Sequence, residues 1–186
     1  MRKKSNKLFL AIVFVLIVPC AAFAVEPGFS VDLSSGWIKA PASLSKQFLP
    51  PMDDPVTWQG VFIREGSTTR FPYVTMEKIS VGPIPQEDID FINKSFLQPI
   101  QDREISLSEE FALLSSEYDA EIKQFVMQIQ LKQSDATLLL TWRIAYLHDG
   151  YIQIQGYSLP DDAAGQEALE TLCDSLRPVP GNEIRQ

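Results

Sequence analysis

Nucleophilic catalysis needs a base beside the nucleophile, and this chain is poor in bases. His148 is its sole histidine and adjoins Asp149-Gly150, a turn dipeptide. A Ser-His-Asp arrangement requires that imidazole to be held by a carboxylate and to face a hydroxyl, and no G-x-S-x-G elbow accompanies it. His148 therefore reads as an exposed turn residue. Cys173 falls on a helix face with Leu169, Leu172 and Leu176, the pattern of a buried thiol. Zinc takes several His or Cys ligands, so one histidine and one such thiol exclude it. Glycines at 60, 66, 82 and 150 stand singly and form no phosphate-cradling loop. No cofactor and no metal are expected.

Carboxylates are abundant. Glu87, Asp88 and Asp90 crowd one helix start, Asp53-Asp54 and Asp161-Asp162 sit in loops, and Glu109-Glu110 lies in a stretch that fits a helix or a strand. None has the D-x-[DN]-x-[DN]-G spacing of a calcium loop. Helix starts favour acids because of the backbone dipole, so most of these need no catalytic explanation. A pair facing each other across a cleft would be the one route to hydrolysis. Trp37, Trp58 and Trp142 could form a recognition platform, but large aromatics are mostly buried, and core positions are expected.

The remaining constellation is polar and lies on strands. Phe125, Met127, Ile129 and Leu131 alternate with Gln124, Gln128 and Gln130, the mark of a half-buried strand. Ser134-Asp135 is a turn signal, Thr137 to His148 a second strand, and Asp149-Gly150 a two-residue hairpin signal before Tyr151 to Ser158. Side chains alternate strictly across a sheet. One face therefore collects Phe125, Met127, Ile129, Leu131, Leu138, Leu140, Trp142, Ile144, Tyr146, Tyr151 and Tyr157. The other carries Gln124, Gln128, Gln130, Thr141 and Arg143 in one area and Ala145, Leu147, Ile152 and Ile154 in another. The polar area is the candidate protein-binding face, because it presents amide groups and an arginine from rigid strands.

Other elements frame these strands. Phe29 to Leu33 reads as an opening strand, 42–48 as a short helix in a proline-punctuated stretch, and Val56 to Glu65 with Phe71 to Val81 as a hairpin. Pro85 suits a first helical position, Ile89, Ile92, Phe96 and Ile100 recur at helical spacing, and Pro99 marks the expected end. Residues 105–118 fit a helix or a strand. A last helix spans about 161–177, with Pro178 and Pro180 beyond it. The expectation is an α+β fold: a single antiparallel sheet of about six strands with helices packed on both faces.

The first residues give an address. Arg2, Lys3, Lys4 and Lys7 precede an apolar run from Leu8 to Val18, and Ala22-Phe23-Ala24 supplies an A-x-A site. This is a secretory signal peptide over residues 1–24, leaving one domain over 25–186 in the periplasm or outside the cell. The run is shorter than the roughly 20 residues needed to span a bilayer. Cys20 could carry a lipid, but Pro19 stands where a small residue is wanted. The membrane is thus a partner only through an acylated Cys20 or an uncleaved leader. Without the four leader charges, 12 Lys and Arg face 24 Asp and Glu, a formal charge of −12. Such a surface repels phosphate backbones, so nucleic acid is excluded as a partner.

The segment Gly28-Phe29-Ser30-Val31-Asp32-Leu33-Ser34-Ser35-Gly36-Trp37 resembles the "sy-x-v-x-l-P-x-G-W" opening of the PsbP-like superfamily, which includes bacterial DcrB-like proteins. Ser34 replaces the usual proline. The end is similar too: an Asp149-Gly150-Tyr151 hairpin, a Ser158-Leu159-Pro160 corner and a helix closing at Ser175-Leu176. The resemblance implies an α/β/α sandwich that acts as a binding or assembly module. The functional expectation is a non-enzymatic exported module for another envelope protein. A hydrolase using a carboxylate pair and a small-ligand carrier with an apolar cavity are the alternatives.

Overall fold

Apolar–polar alternation and isolated turn residues build most of this chain into strands. The structure, a computed structural model, describes residues 23–26, 28–66, 70–102, 110–133 and 136–178. In chain order the elements are β1 (Phe23–Glu26), β2 (Phe29–Asp32), β3 (Trp37–Lys39), α1 (Ala42–Ser45), β4 (Val56–Arg64) and β5 (Tyr73–Ser80). A 3-10 turn, Gln86–Asp88, leads into α2 (Ile89–Gln101). Then follow β6 (Glu110–Asp119), β7 (Gln124–Gln133), β8 (Ala136–Leu147), β9 (Gly150–Ser158), α3 (Ala163–Asp174) and β10 (Arg177–Pro178). Residues 1–22 of the expected leader lie outside the described residues, while Phe23 and Ala24 belong to β1. The turn expected at Ser134-Asp135 also lies outside them.

Seven strands form one antiparallel sheet in the order β3-β4-β5-β9-β8-β7-β6, and β1-β2-β10 form a small second sheet. The expected sheet of about six strands is therefore too small, and its membership differs. The opening strand β2 leaves it for the small sheet, while β3 and β6 join at the two edges. The ambiguous stretch 105–118 resolves as strand where it is described. A bulge between Leu113 and Ser115 inserts an extra residue there. That insertion spaces Phe111, Leu114 and Tyr118 like a helix stripe.

The β8–β9 hairpin closes one residue earlier than Asp149-Gly150 suggests. Leu147 pairs with Gly150, so His148 and Asp149 form the loop. Tyr157 consequently faces Leu140, and Trp142 faces Gln155. The face assignments survive, because partners shift by two residues and side chains alternate with period two. Gly150 adopts φ +146°, and a Cβ there would lie 2.0 Å from the Ile79 carbonyl oxygen. Asp149 accepts a hydrogen bond from the buried Lys78 ammonium at 2.8 Å, tying the loop to β5.

Two apolar clusters share the strands. Ile89 and Ile100 of α2 pack with Met127, Ile129, Leu140, Ile144 and Tyr146. Leu169, Leu172 and Cys173 of α3 pack with Met76, Ala145, Ile152, Ile154 and Phe29. Each large side chain fully withdrawn from water contributes about 1.5–3 kcal/mol. The α2 helix passes through Pro99 and ends at Gln101, two residues later than expected. At the start of α3 the Asp162 carboxylate accepts the Gly165 N–H at 2.9 Å, an N-cap. Gly156 lets α3 approach β9 closely: a Cβ there would sit 2.6 Å from Leu169 Cδ1.

Candidate functional site

The five residues of the expected binding face share one side of β7 and β8, but their surroundings differ. Gln128 and Gln130 are exposed and Thr141 is half-buried. Gln124 and Arg143 are buried, at 2% and 7% exposure. Arg143 Nη1 donates to Asp174 Oδ1 at 2.5 Å and to Gln124 Oε1 at 3.4 Å. The last turn of α3 brings Asp174 to Arg143 and draws the guanidinium out of solvent. Its Nε–H has no partner among the described residues.

Beyond that turn the sheet is open. Ser115, Glu117 and Asp119 of β6, Gln128 of β7, Arg143 of β8 and Asp174 of α3 line a groove of about 300 Å³. Ile122, 47% exposed, lines it as well, and Leu114, 53% exposed, lines the adjoining recess. A smaller recess beside it contains Thr141 together with Gln128 and the α3 residues Gln166 and Glu170. Gln130 lies further along, near Lys132 and Glu110, which form an exposed ion pair at 3.0 Å. The expected face is thus spread over adjoining recesses, of which the largest also holds three carboxylates.

Those carboxylates were not among the expected site residues. Ser115, Glu117 and Asp119 stand at every second position and so share a face, a signal hidden by the bulge just before them. Two of the three acids have structural duties. Asp119 Oδ1 accepts the backbone N–H groups of Glu121 and Ile122 at 2.8 and 3.2 Å, closing the β6–β7 turn. Asp174 holds Arg143. Glu117 is exposed on the strand.

The other candidates occupy separate places. His148 is exposed in the β8–β9 loop. Cys173 is fully buried, and loss of solvation pushes its thiol up to about 11. Trp37 and Trp142 are buried, and the Trp37 indole N–H donates to the Ala168 carbonyl at 3.2 Å. Trp58 packs edge-on against Phe29, with ring centres 5.0 Å apart. Among the described residues no group of three or more His, Cys, Asp or Glu could hold a metal ion. No helix among them is long and apolar enough to cross a membrane.

No family model and no curated protein sequence matches the chain. Solved structures do. The cyanobacterial PsbP protein CyanoP from Synechocystis sp. PCC 6803 aligns with a TM-score of 0.54 at 12% identity, covering 87% of this chain and 95% of CyanoP. A crystal structure from Bacteroides thetaiotaomicron aligns with a TM-score of 0.51 at 11% identity over 87% of this chain. This chain spans about half of that protein, 49% of its length. Identity this low speaks to architecture alone. The fold of this chain is PsbP-like, as the two ends of its sequence imply.

Proposed function

We propose that this chain is a non-enzymatic exported module that binds another protein of the cell envelope. The leader directs it out of the cytoplasm and is removed after Ala24. We read the two apolar clusters as the two sides of an α/β/α sandwich, with α2 on one face and α3 on the other. The observation that carries the reading is the open groove beside the end of α3. Its rigid floor of strands offers hydrogen-bonding groups from Ser115 and Gln128, with exposed apolar surface from Ile122 in the groove and Leu114 in the adjoining recess. Its free charge is negative, since Arg143 is already paired with Asp174. The occupant it fits is an extended polypeptide segment bearing Lys or Arg, whose peptide groups meet the amide and hydroxyl and whose cation meets Glu117.

The carboxylates also make this groove the place to seek hydrolysis. Asp119 is bound to the turn and Asp174 to Arg143, which among the described residues of the groove leaves Glu117 without a second acid free to act with it. Binding is the better reading. Arg143→Glu is a poor probe, because it would bury a carboxylate beside Asp174. Glu117→Lys combined with Gln128→Lys changes only exposed side chains. Crosslinking in envelope extract should capture a partner with the parent chain and lose it with this double variant. A control altered at the exposed residues Asp88 and Asp90 should keep it. Equal capture by both variants, or no partner for the parent chain, would sink the proposal.

A further inference from the structure

At the opposite end of the strand order from the groove, the chain between α1 and β4 runs beside β3 and β4 and is anchored at Phe48, whose ring lies 4.7 Å from that of Tyr73. A cleft of about 640 Å³ opens there, based on the buried Ala40 and Gly60 and walled by Leu49, Pro51 and Met52. This lies within the roughly 300–1,000 Å³ typical of small-molecule sites. Met52 is 55% exposed, so a long apolar side chain faces water across an already apolar base. Pro50 and Pro51 restrict the backbone of the wall, which disfavours its collapse onto the strands. The cleft is therefore preformed and incompletely filled.

Its charge runs against the rest of the molecule. The whole chain has a formal charge of −8, yet the ionisable residues lining this cleft are Lys39 and Lys46. Lys46 is exposed and has no ion-pair partner among the described residues. Lys39 holds its ammonium 4.9 Å from the centre of the Trp58 ring. Gln59, also in the lining, uses its amide to bind the Glu77 carboxylate at 2.8 Å. An apolar trough with a lysine at its rim suits a ligand with an apolar body and one negative head.

We infer that this cleft binds an anionic amphiphile, a single acyl chain ending in a carboxylate, with the chain along Leu49 and Met52 and the head at Lys46. Laurate, kept below its micelle concentration, is the probe, and the full exported chain is titrated with it while backbone amide resonances are followed. Saturable shifts are expected at Ala40, Met52 and Gly60. Lys46→Glu should weaken binding by about tenfold, and Lys46→Arg should change it little. Met52→Asp should weaken it as well, with the folded spectrum retained because the residue is exposed. Dodecyltrimethylammonium has the same chain and the opposite charge, and it should bind at least about tenfold more weakly. Equal binding of the two amphiphiles would overturn the inference. So would laurate shifts centred on Glu117 and Gln128, or binding to phosphatidylglycerol vesicles with none to free laurate. The groove proposal does not depend on any of these results.

Discussion

Arg143 holds its charge beneath the end of α3, and the loss of its partner should cost more than the loss of both. Asp174 is 62% exposed in its side chain and Arg143 only 8%, so removal of the acid strands a guanidinium that water reaches poorly. Asp174→Ala should lower unfolding stability by about 1–2 kcal/mol, discounted because Gln124 and entering water still solvate the cation. Adding Arg143→Met should recover much of that loss, a difference that urea denaturation of the two variants would measure. Buried titrating groups act on stability in one direction. Burial first, and Tyr73 beside it second, push the Tyr157 hydroxyl up to about 12 from 10.0. Cys173 rises to about 11 from 9.0, chiefly through burial. The unfolded chain releases these protons first, so their contribution is intact below pH 9 and falls as pH rises from 9 to about 12. Tyr157→Phe should flatten the decline above pH 10 in denaturation midpoints measured across that range. Alternation along β7 and β8 made the side of the sheet on which Arg143 lies legible in the sequence. It contained nothing about how far α3 would reach across that side, and that reach decides whether an arginine is surface or interior.

Among the elements, α3 depends most on a single position outside itself. It lies against β9 where Gly156 leaves room for Leu169, and the space for a Cβ is already filled. Gly156→Val should force the helix outward and cost about 1–3 kcal/mol, the range for overpacking a core. Hydrogen exchange should show α3 amides losing protection before those of β7 and β8, and unchanged protection in α3 would refute this. The helix itself was readable from its apolar spacing and terminal prolines, while its start was placed two residues early, before the Asp162 cap. Strands with clean alternation were readable for the same reason. β6 was not, because one inserted residue at its bulge breaks the period of two and lends three apolar residues the spacing of a helix. β3 was missed on length: three residues carry no period, and only pairing with β4 makes them a strand.

At the scale of the molecule, the groove and the cleft lie at opposite ends of the sheet and differ in sign. The cleft near Lys46 arises in a proline-punctuated segment without periodicity, so pattern reading had no hold on it. The groove was half legible: its Gln128 and Arg143 came from alternation, and its acidic wall came from a strand that the bulge disguised. Acid outnumbers base by 24 to 16 along the chain, so a cationic partner is attracted from a distance as well as at the groove. Attraction of that kind is screened over about 10 Å at 0.1 M salt and about 3 Å at 1 M. Partner capture by the parent chain should therefore weaken by about tenfold or more between 50 mM and 500 mM salt, mainly through slower association. The variant Glu117→Lys with Gln128→Lys should lose both its binding and the salt dependence of whatever remains. Kosmotropic salts such as sulfate also strengthen apolar contact, so capture that holds or improves at 500 mM would mean that Leu114 and Ile122 dominate. In that case the partner is recognised by an apolar ridge, and the charge assigned to it here is wrong.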